Sequence, residues 1–168
     1  MLTSTGSLIA IKGQALAIEA LAQVPHAHLA LAGTGPDEAQ LRRLAARLGL
    51  AGRVHFLGQI SHEVLPLLLA GSDAMVLPSE REGLANAWIE ALACGTPLVI
   101  PEIGGAHEVV RDASAGRIID RVPAEIARAI RELLLQPPPQ AEVAAHAARF
   151  SWEANAEQLA EWWRAVLA

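Results

Sequence analysis

The sequence predicts an α/β fold, a Rossmann-like doubly wound parallel sheet of about six strands flanked by helices, with extra helices at the C-terminus. Short apolar runs alternate with longer amphipathic ones, as repeated βα units require. The predicted strands are continuous apolar runs, which is typical of a parallel sheet covered on both faces. The chain has 168 residues, of which 52% are hydrophobic and 18% charged. That length and composition suit one domain with its own core and exclude a disordered chain.

The strands are predicted where short apolar runs end at a turn-forming residue. These six runs are residues 8–11, 28–32, 54–57, 74–77, 98–100 and 117–119. Between them, amphipathic segments carry helix start and stop signals: Pro36 suits a first helical turn, Ser61 an N-cap and Gly49 a C-cap. The predicted helices cover about 14–22, 36–48, 62–70, 83–93 and 107–111.

The sheet pattern stops near residue 121. Three further helices are predicted over about 124–135, 141–149 and 152–166, with a stiff break at the consecutive prolines 137–139. We therefore expect a single domain over residues 1–168, made of a βα core at 1–121 and C-terminal helices at 122–168.

Composition excludes several classes of function. The net charge of −5 argues against a general binder of nucleic-acid backbones, which needs clustered Lys and Arg, so no nucleic-acid partner is expected. No apolar run approaches the roughly 18–20 residues of a membrane span, and the opening residues lack the basic segment of a secretory signal. The single cysteine, Cys94, cannot form an internal disulfide, which fits a reducing compartment. We expect a cytoplasmic protein.

The loops that follow the predicted strands are the candidate ligand-binding segments, because open parallel sheets bind ligands beyond the carboxyl ends of their strands. Four such loops lead into helices, where free backbone N–H groups attract anions. They are residues 6–13, 33–36, 78–90 and 103–108. None matches the dinucleotide-binding or Walker A pattern. The first contains Lys12, the only lysine among thirteen basic residues.

Two carboxylates, Glu82 and Glu90, lie eight positions apart around the predicted start of one helix. Such a pair would be separated by up to about 12 Å along the helix axis, which is long for a glycosidase pair at roughly 5–9.5 Å. The spacing suits two carboxylates that contact different parts of an elongated ligand. Two solvated helix glutamates remain the alternative.

The residues around this pair form a longer motif. Glu82-Gly83 is followed by a small loop and then by the sequence EALACGTPLV, which begins at Glu90. This segment resembles the signature of the retaining family-4 glycosyltransferases, whose GT-B architecture consists of two Rossmann domains. The resemblance continues in the expected order through Lys12-Gly13, AGTGP at 32–36, RVHFLG at 53–58, Gly104-Gly105, Glu108 and FSWE at 150–153.

The resemblance implies a role for each matched residue in binding a nucleoside-diphosphate sugar, the UDP- or GDP-sugar donor. The catalytic residues would be Glu82, which would contact the transferred sugar and stabilise positive charge as the glycosidic bond breaks, and Lys12, which would neutralise the diphosphate leaving group. Glu90 would bind the ribose hydroxyls. The remaining donor-binding residues would supply backbone N–H groups at the helix start (Gly83, Leu84, Ala85), the base pocket (Leu57, Gly58) and the neighbouring turns (Gly33, Ser7). No metal or other cofactor is implied.

Two departures from the family pattern weigh on this interpretation. Ser7 stands where the family has an arginine, the second cation expected on the diphosphate. The loop after Gly83 reads Leu-Ala-Asn rather than Phe-Gly-Leu, and Asn86 suits either a sugar contact or a helix cap. A nucleotide-sugar epimerase domain and a non-catalytic nucleotide-sugar-binding module therefore remain as alternatives.

The length of the chain matches only the C-terminal, donor-binding half of a GT-B enzyme. The resemblance implies an N-terminal domain of the same protein, absent from this sequence, and a glycan or lipid-linked acceptor. It also implies a bacterial enzyme peripheral to the inner membrane. We expect the isolated half to be inactive and to self-associate, and we interpret the opening MLTSTG as added residues outside the fold.

Overall fold

The computed structural model describes residues 1–167 and contains a six-stranded sheet whose strands all run parallel. The strands are β1 (Leu2–Thr5), β2 (Leu29–Ala32), β3 (Val54–Gly58), β4 (Ala74–Val76), β5 (Leu98–Pro101) and β6 (Gly116–Ile119). Their order across the sheet is β3-β2-β1-β4-β5-β6. This is the doubly wound order of a Rossmann fold, in which the direction of winding reverses between β1 and β4. The predicted fold class is therefore confirmed.

Helices cover both faces of the sheet. They are α1 (Gln14–Leu21), α2 (Glu38–Arg47), α3 (Leu65–Ala70), α4 (Asn86–Ala93), α5 (Ala106–Val109), α6 (Pro123–Leu135), α7 (Gln140–Ala145) and α8 (Trp152–Leu167). One core packs α1, α2 and α6 against the sheet, and a second packs α3, α4, α5 and α7 against the opposite face. In β4, Ala74 and Val76 belong to the first core and Met75 to the second. A strand that is buried on both sides in this way reads as a continuous apolar run.

The first strand lies earlier than the sequence predicted. The expected strand at 8–11 is a turn followed by a short 3-10 helix (Ala10–Lys12), and the central strand β1 is formed by Leu2–Thr5. The opening residues therefore belong to the fold, which corrects their interpretation as added residues. The strand was predicted at 8–11 because that run is apolar, but its Leu8 is buried inside a loop. Thr3 and Ser4, by contrast, are buried in the strand although they carry hydroxyl groups.

Three helices start or end differently from their predictions. The helix α3 begins at Leu65, without a side-chain cap, so Ser61 does not cap it. The helix α4 begins at Asn86 and again has no side-chain cap, so Glu82 lies in the preceding loop and only Glu90 is helical. The predicted helix at 141–149 divides into α7 and a short 3-10 segment, Ala148–Phe150.

The last helix differs from the others because it buries none of its residues. Six of its large apolar side chains are exposed: Trp152, Leu159, Trp162, Trp163, Val166 and Leu167. Across residues 1–167, no helix combines the length and apolar character that a membrane crossing requires.

Candidate functional site

The candidate site lies where the carboxyl ends of β1 and β4 meet at the centre of the sheet. These strands pair in parallel, yet the chain leaves β1 toward β2 and leaves β4 toward β5. Because the two connections diverge, a crevice opens between them, which is the usual ligand position in such sheets. The residues that the sequence marked lie in the segments that follow the strands at this edge, except that Leu57 and Gly58 end β3 itself and Glu90 lies on α4.

The loops after β1 and β4 are packed directly on each other. The N–H of Glu80 donates to the carbonyl of Ile11 at 2.7 Å. Beside that bond, Gly13 adopts the left-handed conformation (φ 72°), and a Cβ at this position would collide with the carbonyl of Pro78. Glycine is needed here for both its conformation and its small size. The two loops are thereby held in a fixed relation.

Lys12 and Glu82 meet across this contact. The Nζ of Lys12 donates to Oε1 of Glu82 at 2.6 Å, and the side chains are only 25% and 11% exposed. The Lys12 side chain also lies close to Gly6 at the end of β1, with its Cε 3.9 Å from the Cβ that Gly6 lacks. The structure thus brings together the two residues that the sequence marked as catalytic, although 70 positions separate them.

A third loop, after β5, closes against the segment that carries Glu82. The N–H of Gly105 donates to the carbonyl of Gly83 at 2.8 Å. Gly104 has a φ of 46°, and a Cβ there would collide with the carbonyls of Glu82 and Gly83. The family motif Gly104-Gly105 therefore serves to let this loop approach the backbone of Glu82 and Gly83.

The loops after β2 and β3 continue the same edge on the other side of β1. The N–H of Gly33 donates to the carbonyl of Gly58 at 2.8 Å, and a Cβ on Gly33 would collide with the carbonyl of Gly6. Leu57 is exposed beside Gly58. Ser7 is exposed at the end of β1, where its carbonyl accepts a bond from Nε2 of Gln14 at 3.0 Å.

Glu90 lies within α4 and borders two cavities. One, of about 540 Å³, extends toward α5 and α8 and is also lined by Leu84, Glu108 and Trp152. The other, of about 230 Å³, extends toward α3 and includes Cys94. Burial and, secondarily, the Glu90 carboxylate raise the pKa of the Cys94 thiol. Neither Lys12 nor Glu82 lines either cavity, so neither cavity joins that pair to Glu90.

Three hydroxyl groups near the crevice are buried without a hydrogen-bond partner among residues 1–167: those of Ser4, Thr5 and Ser79. Buried polar groups are nearly always paired with protein or ordered water, and these three lie at or next to the carboxyl ends of β1 and β4. Sequence reasoning missed them, because small hydroxyl residues in a loop or strand carry no specific signal.

A fourth missed residue is Arg121, which lies two positions after the end of β6. Its Nε donates to the carbonyl of Pro78 at 3.0 Å, so it reaches from the end of β6 to the end of β4. Its position two residues after a predicted strand was the signal that could have marked it. Within the described part of the chain, no three His, Cys, Asp or Glu residues are grouped to hold a metal ion.

The glycosyl transferases group 1 family model matches residues 1–161. This chain belongs to that family. A D-inositol 3-phosphate glycosyltransferase from Geodermatophilus obscurus is 38% identical over 130 residues, which cover 76% of this chain and 29% of the relative. A GDP-mannose-dependent alpha-(1-6)-phosphatidylinositol monomannoside mannosyltransferase from Mycolicibacterium smegmatis is 37% identical over 142 residues, covering 77% and 37%. This glycosyltransferase-family chain spans about a third of the length of these curated relatives.

A solved structure supports the same family and fold. HepE from Anabaena, determined in complex with UDP, superposes with a TM-score of 0.85 and 28% identity, over 98% of this chain and 48% of HepE. The expectation of a Rossmann-like fold, with a resemblance to GT-B glycosyltransferases, is thus confirmed at the level of family and fold.

Proposed function

We propose that this chain is the donor-binding half of a retaining glycosyltransferase that moves a hexose-type sugar from a nucleoside-diphosphate sugar to a glycan or lipid-linked acceptor. The observation that carries the proposal is the Lys12–Glu82 pair, 2.6 Å apart at the central crevice. A cation and a carboxylate held together there match the two ends of the bond to be broken, one for the departing phosphate and one for the sugar.

The diphosphate would lie between Lys12 and the start of α4. The helix has no side-chain cap, and Ala85 before it is extended, so the first N–H groups are left for an anion. The amides of Gly83, Leu84 and Ala85 would add hydrogen bonds. When the glycosidic bond breaks, negative charge grows on the leaving phosphate oxygen, and a fixed ammonium with helix N–H groups stabilises it. Lys12 and the helix N–H groups would offset this negative charge, so the proposed step does not require a metal ion.

The transferred sugar would lie against Glu82 and the loop at Gly104-Gly105. Glu82 is nearly buried and already paired with Lys12, so its carboxylate is held in place rather than free to rotate. It would accept hydrogen bonds from sugar hydroxyls and stabilise positive charge at the anomeric carbon as the leaving group departs.

The nucleoside would extend from the diphosphate along the edge of the sheet. Glu90 would bind the ribose hydroxyls from α4, while Leu57 and Gly58 would line the base pocket, with the Gly33 and Ser7 turns beside it. The Gly33–Gly58 backbone bond fixes the distance between these last turns.

Two donors are supported by the relatives. The HepE structure contains UDP, and the mycobacterial relative is named for GDP-mannose. We further propose that an N-terminal domain of the same protein contacts the acceptor, and that the complete protein works in the cytoplasm at the inner membrane.

Calorimetric titration of this chain with UDP, GDP and inorganic pyrophosphate tests the donor site. Lys12→Gln should lower the affinity for all three about tenfold or more, because a charge-assisted contact contributes about 1.5–3 kcal/mol. Glu90→Gln should weaken UDP or GDP but leave pyrophosphate unchanged, because it acts on the ribose.

Arg117→Gln provides the matched control. Arg117 is also 25% exposed and ion-paired, through Nε to Glu132 at 2.9 Å, but it lies on β6 away from the crevice. Binding of neither nucleotide, or an equal loss in the Arg117 variant, would contradict the proposed site. With the complete protein, NMR of the product should show the donor's anomeric configuration retained.

A further inference from the structure

Arg121 stands at the crevice with most of its hydrogen-bonding capacity unused. Its Nε donates to the Pro78 carbonyl at 3.0 Å. A guanidinium has five N–H donors, so four remain without a protein partner among residues 1–167. The side chain is half-buried, so water satisfies these donors less freely than at an exposed arginine.

The other half-buried arginines have more partners. Arg53 donates to two carbonyls, those of Val24 and Ala27. Arg117 is bound to Glu132 and to two backbone carbonyls. Within the described residues, no carboxylate lies within ion-pairing distance of Arg121. It is therefore a half-buried positive charge without a counter-charge.

Arg121 and Lys12 both lie near the Pro78 carbonyl. The Pro78 carbonyl that accepts the bond from Arg121 is also the group against which Gly13 is packed. Lys12 directly precedes Gly13, so both cations adjoin the same short stretch of β4–α4 loop. They approach it from different elements, one after β1 and the other after β6.

A diphosphate bound at the crevice would need a second cation to offset its negative charge. Lys12 is paired with Glu82, so together they carry no net charge, and Ser7 adds none. A diphosphate carries several negative charges, which one paired ammonium offsets poorly. A guanidinium offers parallel N–H donors that match phosphate oxygens and is well suited to such a group.

We propose that Arg121 binds the diphosphate of the donor as a second cation beside Lys12. The proposal rests on the proposed function, since it needs a diphosphate at the crevice. Among the described residues, the one side-chain bond of Arg121 to the fold is the bond to Pro78, so its substitution should change mainly the affinity for the ligand.

The test compares Arg121→Gln and Arg121→Lys with the unchanged chain in titrations with UDP, GDP, uridine and guanosine. Arg121→Gln should lower the affinity for the nucleoside diphosphate about tenfold or more. It should leave the affinity for the matching nucleoside and the thermal unfolding midpoint close to those of the unchanged chain. Arg121→Lys should recover part of the loss, because it keeps the charge.

The control is Arg131→Gln. Arg131 likewise donates to one backbone carbonyl, that of Gln23 at 3.1 Å, but this contact lies after the end of α1, away from the crevice. Its removal should not change the binding of any of the four ligands.

Three results would overturn the inference: UDP and GDP affinity unchanged in Arg121→Gln, an equal loss of nucleoside affinity, or an equal loss in Arg131→Gln. An equal loss of nucleoside affinity would mean that Arg121 acts through the structure of the loop. An equal loss in Arg131→Gln would mean that the effect is not specific to Arg121. If the unchanged chain itself binds neither UDP nor GDP, the proposed function fails together with the inference. If it binds and Arg121→Gln binds equally well, only the inference fails.

Discussion

Helices α4 and α8 are both amphipathic, but only α4 is anchored by the core. The helix α4 buries Trp88, Ala91 and Leu92 against the sheet, whereas α8 is twice as long and buries nothing. An amphipathic sequence is therefore enough to form a helix, but core packing is needed to fix where that helix lies in the fold. Packing fixes where α4 presents Glu90 and the loop with Glu82, while nothing within residues 1–167 fixes α8 in a comparable way.

The contrast extends to the loops. The segment before α4 is held by the Pro78 contact with Gly13 and by the bond from Gly105 to Gly83. The start of α8 has two local bonds to Ser151, from the N–H of Ala154 to its Oγ and from the N–H of Asn155 to its carbonyl, both at 3.1 Å. We expect ligand binding to depend on the first region and assembly with other polypeptide chains on the second.

The largest expected difference is between two tryptophans. Trp88→Ala removes a side chain that is fully buried in the second core and should lower the free energy of unfolding by about 3–5 kcal/mol. Trp163→Ala removes one that is 50% exposed and should change it by less than about 0.5 kcal/mol. Urea unfolding measures both. If the first variant does not fold, Trp88→Phe, with a smaller loss, replaces it; equal effects at the two positions would refute the contrast.

A smaller effect is expected at the contact between the β1 and β4 loops. Gly13→Ala places a Cβ against the Pro78 carbonyl in a left-handed residue and should cost more than about 2 kcal/mol. Gly49 has nearly the same φ, 71°, but open space around it, so Gly49→Ala should cost only the conformational part, about 1 kcal/mol. The difference between the two unfolding free energies measures the loop contact. No difference would mean that the loops separate easily.

Self-association should depend on α8 alone. Its exposed apolar side chains form a patch of the kind that promotes association, so the isolated chain should dimerise at high concentration in analytical ultracentrifugation. Trp162→Glu together with Trp163→Glu should weaken that association at least about tenfold and leave urea unfolding unchanged. A strictly monomeric unchanged chain would show that this patch is not adhesive.

The smallest expected effect concerns Cys94, which reports on Glu90. Because burial and the Glu90 carboxylate raise the thiol's pKa, little thiolate exists near neutral pH. Glu90→Gln removes one of the two causes, so the pKa should fall toward its ordinary value and alkylation at pH 8 should become faster. Glu108→Gln should leave the rate unchanged. An unchanged rate in Glu90→Gln would place the carboxylate away from the thiol.

Sequence reasoning reached most of the fold because five of the six strands are apolar runs bounded by turn residues. It failed at β1, since Thr3, Ser4 and Thr5 look like a polar terminus. Such a strand is recognisable only when it is known to pair with β2 and β4 at the centre of the sheet. The nearby run at 8–11 has strand-like composition, but Leu8 is buried by loop packing instead.

The site was predicted in its residue types more than in its contacts. The spacing of Glu82 and Glu90 was visible, but the Lys12–Glu82 pair joins residues 70 positions apart and required the strand order. The contact of Arg121 escaped prediction for the same reason: its position near the end of a predicted strand was visible, but nothing local indicates that its side chain reaches Pro78. Cap geometry also escaped prediction, as at Ser61, where tertiary packing sets the helix start.

Amide chemical shifts during titration with UDP or GDP show where the nucleotide binds, since a chain of 168 residues is within the range of heteronuclear NMR. We expect the largest changes at Gly6, Gly13, Gly83 and Gly105, around the crevice between β1 and β4. Changes confined to the cavity between α4 and α8, or no changes at saturating nucleotide, would contradict this expectation.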